Sequence, residues 1–313
     1  MIEAVSKATF STLANSAVLK ALASRYGMRK PRSFARRFVA GTTTDEAIDC
    51  ARRLEREGLT VTLDHLGESV SSRDAATTAT REYIAIVQAV HAAGISRNLS
   101  VKLSQLGLEI DRATAVDNIR RVLDVTGTDD FFVRIDMEGS AHTDQTFEVF
   151  ESLWGIGHRN IGVVIQSCLH RSPKDLTRMI ELGARVRLVK GAYREPKEIA
   201  YQEKEDVDRA YVDMMQTLLR EGTYPAIATH DPAIIDATRT FATALGLERR
   251  SFEFQMLYGI RRDLQHALAA EGYPFRVYVP FGTEWFPYFM RRLGERPANV
   301  SFVMKSLVRE EVS

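Results

Sequence analysis

The sequence predicts an α/β fold, a (β/α)8 barrel of the TIM type with an N-terminal helical arm. Three observations lead there. Eight short runs rich in apolar and β-branched residues recur along the chain, a segment of helical period follows each of them, and no Pro/Ser-rich linker divides the series. Strict alternation implies right-handed crossovers and a parallel sheet, and eight repeats favour closure over an open doubly wound sheet. The 313 residues leave room for one such domain, which commonly takes ~250 residues. Residues 1–58 then form the helical arm packed on the barrel, and 59–313 form the barrel.

The first run, LTVTLDHLG (59–67), precedes a helical period over 75–93. LSVKLSQLG (99–107) precedes a helix over 112–125, FFVRIDMEG (131–139) one over 143–153, and IGVVIQS (161–167) one over 173–182. RVRLVKGA (185–192) comes before a long helical stretch at 196–220, AIATHD (226–231) before 232–245, FEFQML (252–257) before 261–270, and FRVYVPFG (275–282) before a last helix from Glu284. Pro173, Pro196 and Pro232 stand where a first helical turn tolerates proline, and Gly183, Gly222 and Gly246 stand just past helix ends.

Composition narrows the function classes. Lys plus Arg (42) nearly balances Asp plus Glu (41), so no charge excess draws the molecule to nucleic acid. The two cysteines, Cys50 and Cys168, lie far apart without a C-x-x-C, which fits a reducing, cytoplasmic setting. No apolar run approaches the ~18 residues that span a bilayer, and the start MIEAVSKATFSTLANS lacks the apolar core of a secretory signal, so the protein is expected to be soluble or peripheral. Residues 1–40 carry Lys7, Lys20, Arg25, Arg29, Lys30, Arg32, Arg36 and Arg37 against the single acid Glu3. Two readings compete there: a solvated basic segment packed on the barrel, or a surface that meets anionic lipid at the inner face of the membrane.

Several chemistries leave no motif. GIGHRN (155–160) fails the dinucleotide fingerprint at its third glycine, and no P-loop, G-x-S-x-G or H-E-x-x-H occurs. No metal is expected from the seven dispersed histidines, with a distributed site on Asp64, His65, Asp136 and His230 as the weaker alternative.

Strands of a parallel barrel are buried on both faces and ordinarily read as apolar throughout. Here polar residues fall in the second half of the runs: Lys102 and Gln105, Asp136 and Glu138, Gln166, Arg187 and Lys190, Thr229 and His230, Glu253 and Gln255. The C-terminal strand ends ring the face where barrel enzymes place their sites. One such residue ordinarily marks only the start of a loop, and Lys102 with Asp136, or Glu253 with Arg187, are also candidates for structural ion pairs. The same asymmetry on so many strands points instead to a polar site. In YFMRRLGE, Tyr288, Arg291, Arg292 and Glu295 fall at i, i+3, i+4 and i+7 on one helical face, with Phe289, Met290 and Leu293 on the other. That stripe reads either as a solvated face with Glu295 paired to both arginines, or as two guanidinium groups that grip a carboxylate or phosphate at the barrel mouth. Lys190 or Lys102 as a Schiff-base nucleophile would make the same scaffold an aldolase.

VKLSQLG, RIDMEGS, VVIQS, RLVKGAY, ATHD, FEFQMLYG, VYVPFG and YFMRRLGERPANV occur in this order, and from about residue 60 to the end the chain resembles the flavin-dependent proline dehydrogenases. Its length is expected to fit the monofunctional members, too short for the second dehydrogenase of the bifunctional ones, and nothing in it suggests their DNA-binding segment. The resemblance implies FAD at the C-terminal strand ends, oxidation of L-proline to Δ1-pyrroline-5-carboxylate by hydride transfer to flavin N5, and reoxidation by a membrane quinone, the first step of proline catabolism. It implies Lys102, Arg291 and Arg292 as cations for the proline carboxylate, and Asp136, Tyr193, Leu257, Tyr278 and Tyr288 as walls around the ring. For FAD it implies Met137, Gln166, Arg187, Val189, Lys190, Gly191, Thr229 and His230, with Glu295 as a supporting ion-pair partner. Arg187 is expected to stabilise charge on the reduced flavin, and Asp136 is a candidate base acting through a water. Ser167 and Cys168 depart from the Ala-Tyr that many members carry and stand outside this assignment.

Overall fold

The structure, a computed structural model, describes Met28, residues 33–127 and residues 130–295; at residues 34 and 293–295 it describes the backbone alone. The basic residues Lys7, Lys20, Arg25, Arg29, Lys30 and Arg32 lie outside the described residues, as does the side chain of Glu295.

Eight strands form in the predicted order: β1 (Thr60–His65), β2 (Asn98–Val101), β3 (Phe132–Ile135), β4 (Ile161–Gln166), β5 (Arg185–Val189), β6 (Ala226–Ala228), β7 (Glu253–Leu257) and β8 (Phe275–Phe281). Each pairs in parallel with its successor, and β8 closes on β1 in a barrel without an edge. Around it run α1 (Thr44–Arg56), α2 (Arg73–Ala93), α3 (Arg112–Asp124), α4 (Thr143–Gly155), α5 (Ser172–Glu181), α6 (Lys204–Glu221), α7 (Pro232–Ala244), α8 (Arg262–Ala270) and α9 (Trp285–Glu295). Side chains satisfy the first turns of several helices: Thr43, Ser72, Asp111 and Asp231 accept backbone N–H groups of α1, α2, α3 and α7. Among the described residues, no helix is long and apolar enough to cross a membrane.

Two hydrophobic clusters organise the core. The larger joins the strands to the inner faces of the helices and includes Ala47, Ile48, Cys50, Ala51 and Leu54 of α1, so the helix before β1 covers the barrel as the later ones do. The smaller joins Ala35, Phe38 and Val39 to Leu66 and to Trp285, Phe286, Tyr288, Phe289 and Met290 of α9. Residues ahead of the barrel thereby seat the last helix.

Two expectations change. Pro173 and Pro232 do occupy first turns, but α6 begins at Lys204, not near Pro196. Residues 190–203 form a loop instead, because Ala200 pairs in an antiparallel bridge with Leu169 after β4. Glu253 opens β7 at the floor of the barrel, the end opposite the site, where both of its oxygens take Arg276 Nε, at 3.0 and 3.2 Å.

The floor also holds Arg134 of β3, whose Nη1 donates to the carbonyls of Val163 at 3.0 Å and Arg185 at 2.5 Å. Burial, and then the like charge of Arg187, push this guanidinium down from its ordinary range. Gly162 of β4 leaves the space it occupies: a Cβ there would meet the Arg185 carbonyl and lie 2.7 Å from Arg134 Nη1. Gly162→Ala is therefore expected to cost about 1–3 kcal/mol of stability, read from the midpoint of guanidinium denaturation; an unchanged midpoint contradicts this packing.

Candidate active site

The strands end earlier than the polar runs suggest, so Lys102, Asp136, Lys190, Thr229 and His230 stand just past them on the turns that rim the mouth. Arg187 and Gln255 remain within β5 and β7 and point into the barrel network.

The buried charges pair differently from either pairing expected. Lys102 Nζ donates to Asp64 Oδ1 at 2.7 Å, across from β1. Arg187 divides its donors three ways: Nη1 to Asp136 Oδ1 at 2.7 Å, Nε to Gln255 Oε1 at 2.6 Å and Nη2 to Ser100 Oγ at 3.1 Å. Tyr278 Oη donates to the second Asp136 oxygen at 2.8 Å, and its ring centroid lies 5.3 Å from the Arg187 guanidinium carbon. Gln255 in turn donates to Glu253, which ties the mouth to the floor.

The electrostatics follow from that geometry. Burial by itself would lower the Lys102 amine, but the carboxylates of Asp64 and Asp136 outweigh it and hold the amine above its ordinary value. Burial raises Asp136, against the pull of Arg187 and Lys102. Burial, and then the carboxylates of Asp136 and Asp64, raise the Tyr278 phenol. Lys102 is thus a charged group at neutral pH.

A second group gathers on the ends of β4, β5 and β6. Gln166 pairs in register with Val189, and its amide donates to the Glu138 carbonyl at 3.0 Å beside the buried Met137. Gly191 has φ 111°, and a Cβ there would overlap Cys168 Sγ and lie 3.4 Å from Gln166 Oε1. The position needs glycine on both counts. Lys190 Nζ meets Asp208 at 2.5 Å and Asp231 at 2.9 Å. The Thr229 hydroxyl accepts from Asp231 N at 3.1 Å, and His230 Nε2 accepts from Leu257 N at 3.0 Å, which puts the ring proton on Nδ1.

Helix α9 brings the third group. Tyr288 and Arg292 are buried, with the guanidinium carbon 5.0 Å from the Tyr288 ring centroid. Arg291 Nη1 donates to Glu68 at 3.0 Å. Burial, then Glu138 and Glu68, push the Tyr193 phenol up to about 12, with Arg291 pulling the other way. Tyr193 therefore sits within the field of Arg291 and Lys102. Over its described side chains, Tyr288, Arg291 and Arg292, the stripe of α9 is not a solvated face.

Sequence reasoning passed over Glu68, Ser100, Ser104 and Asp208, and it treated Asp64 only as a metal ligand. Asp64 had a signal, since it is the one carboxylate in β1. Among the described residues, no group of three His, Cys, Asp or Glu side chains is placed to hold a metal ion.

A closed parallel barrel with a buried cation–carboxylate network at its C-terminal strand ends is the architecture of a barrel enzyme with its site on that face. Residues 47–305 match the family described as Proline dehydrogenase, and the chain belongs to that family. It is 42% identical over 285 residues to "Proline dehydrogenase" of Deinococcus radiodurans, covering 90% of this chain and 92% of the relative. It is 40% identical over 301 residues to "Proline dehydrogenase 1" of Bacillus subtilis (strain 168), covering 96% and 98%. Among solved structures, proline utilization A (PutA) from Bdellovibrio bacteriovorus, inactivated by N-propargylglycine, superposes with a TM-score of 0.78 at 27% identity, covering 83% of this chain and 32% of that one. The chain spans about a third of that structure's length.

The Lys102–Asp64 pair gives a direct test. Lys102→Met leaves Asp64 buried without its cation and is expected to cost roughly 3–5 kcal/mol of stability. Adding Asp64→Asn should recover much of that loss in chemical denaturation. A double variant as unstable as the sum of the two single ones contradicts the pairing.

Proposed function

We propose that this protein oxidises L-proline to Δ1-pyrroline-5-carboxylate with FAD as its cofactor. The observation that carries the reading is the convergence of Lys102, Arg291 and Arg292 on one barrel mouth with Tyr193, Tyr278 and Tyr288. Family membership and the names of the relatives support the same substrate.

In this reading Lys102, Arg291 and Arg292 take the proline carboxylate. Asp64 and Glu68 hold two of these cations in place until substrate arrives, which limits the cost of keeping them out of water. Tyr193, Tyr278, Tyr288 and Leu257 wall the ring and exclude water, and Asp136 fixes the Tyr278 hydroxyl. Glu295, on the same helix as Arg291 and Arg292, serves as their supporting partner.

The residues also fit a flavin. Gly191, at φ 111°, lets the backbone turn beside Gln166, and Arg187, Lys190, Thr229, His230 and Gln166 would supply donors for phosphates and ring heteroatoms, with Met137 and Val189 as apolar contacts. FAD, when bound, supplies the electron sink for the hydride that leaves the carbon next to the proline nitrogen. Arg187 offers a fixed cation, oriented by Asp136, Gln255 and Ser100, where negative charge accumulates. Asp136 is the candidate to take the amine proton through a water. The electrons pass on to a membrane quinone from a cytoplasmic protein.

The aldolase reading loses support on this geometry. A Schiff-base lysine must be neutral to attack, whereas Lys102 is held charged by Asp64 and Lys190 is clamped by two carboxylates.

Anaerobic addition of L-proline to the purified protein should bleach a flavin absorbance band. Protein that stays colourless after FAD is supplied, or whose flavin proline does not bleach, overturns the reading.

A further inference from the structure

The loop from β5 to α6, residues 190–203, reaches past the neighbouring β4 and is fastened to two other loops. At its far end it joins the turn after β4, where His170 N donates to Ile199 O at 2.9 Å and Tyr201 N to Cys168 O at 2.8 Å. Past Lys190, which is held by Asp208, Asp231 and Cys168 N, the fastening to the β3 loop is one side chain among the described residues. Glu195 Oε1 accepts from Ser140 N at 2.8 Å, and Oε2 accepts from Ser140 Oγ. Ser140 opens the short 3-10 helix after β3, so a single carboxylate ties the β5 loop to the β3 loop.

Between Lys190 and Glu195 little else holds the chain. Gly191, Ala192 and Arg194 are exposed, and among the described residues no backbone-to-backbone hydrogen bond holds 191–194. Tyr193, two residues before Glu195, is the inward-facing member of this stretch. The same motif recurs one loop further round: the Glu138 carboxylate accepts from Ser104 N at 3.0 Å and Ser104 Oγ at 2.5 Å. Ser104, Glu138, Ser140 and Glu195 therefore form a relay that links the loops after β2, β3 and β5, which carry Lys102, Asp136 and Tyr193.

We propose that Glu195 is a positioning residue for proline oxidation: through Ser140 it seats Tyr193 against the substrate side of the barrel mouth. The inference rests on the proposed function, since it takes Tyr193 as a wall of the proline site. A charge-assisted two-point contact holds a short exposed segment better than water does, and its loss frees Tyr193 to swing with the loop. The consequence falls on substrate binding, because the reacting groups on β2, β3 and β5 stay where their own ion pairs hold them.

The test is steady-state kinetics per bound flavin. Glu195→Ala should raise KM for proline about tenfold, with kcat lowered by a smaller factor. Glu195→Gln keeps an acceptor for the Ser140 N–H and should restore most of the KM. In a Tyr193→Ala background, Glu195→Ala should add little, since both changes remove the same contact. An unchanged KM in Glu195→Ala, or an effect that adds in full to that of Tyr193→Ala, overturns the inference while leaving proline oxidation by the parent protein intact. A parent protein inert toward proline overturns the function reading, and this inference with it.

Discussion

Two ion pairs inside the barrel, Lys102 with Asp64 and Arg187 with Asp136, set what the rest of the mouth does. Both are nearly dry, and taking such charges out of water costs several kcal/mol per ion before the mutual attraction repays it. They are weak contributors to stability and strong constraints on position. Arg187 is held by three partners from three other strands or their ends, so its guanidinium plane is fixed relative to the whole sheet. Asp136 is shared between that cation and the Tyr278 hydroxyl, which binds β3, β5 and β8 into one unit.

The outer layer of the site is built differently. Its side chains sit on loops and on α9, and their order comes from clasps between neighbouring loops and from the small cluster that packs residues 35–39 against α9. Phe38 and Phe289 meet at 6.1 Å between ring centroids, so residues that precede the first strand determine where Arg291 and Arg292 stand. A site with a rigid inner layer and a clasped outer layer separates two tasks. In the proposed function, the inner layer holds charge in register for the chemistry and the loops admit and enclose a small ring.

Much of the fold was legible because it is written locally. Runs such as IGVVIQ bury both faces and must be central strands, and proline, hydroxyl or acidic residues mark the helix starts between them. Pro196 misled because a helix-compatible proline looks the same whether a helix follows at once or after a bridge to Leu169. The site was legible as a set of polar strand ends, but not in its pairings. Lys102 and Asp64 are 38 positions apart, Arg291 and Glu68 are 223, and no local pattern says which acid meets which base. Glu253 shows the same limit: two residues from Gln255 on one strand, it points to the floor network with Arg276 and not to the mouth.

The proposed function requires that Lys102, on the turn after β2, and Arg291 and Arg292 of α9 meet on one carboxylate. A crystal structure of the protein with a non-oxidisable five-membered-ring analogue of proline measures this most directly. The analogue's carboxylate is predicted within hydrogen-bond reach of Lys102, Arg291 and Arg292, with its ring against Tyr193, Tyr278 and Tyr288. A carboxylate bound instead at Arg187 or Lys190, or an analogue seated away from α9, would contradict it.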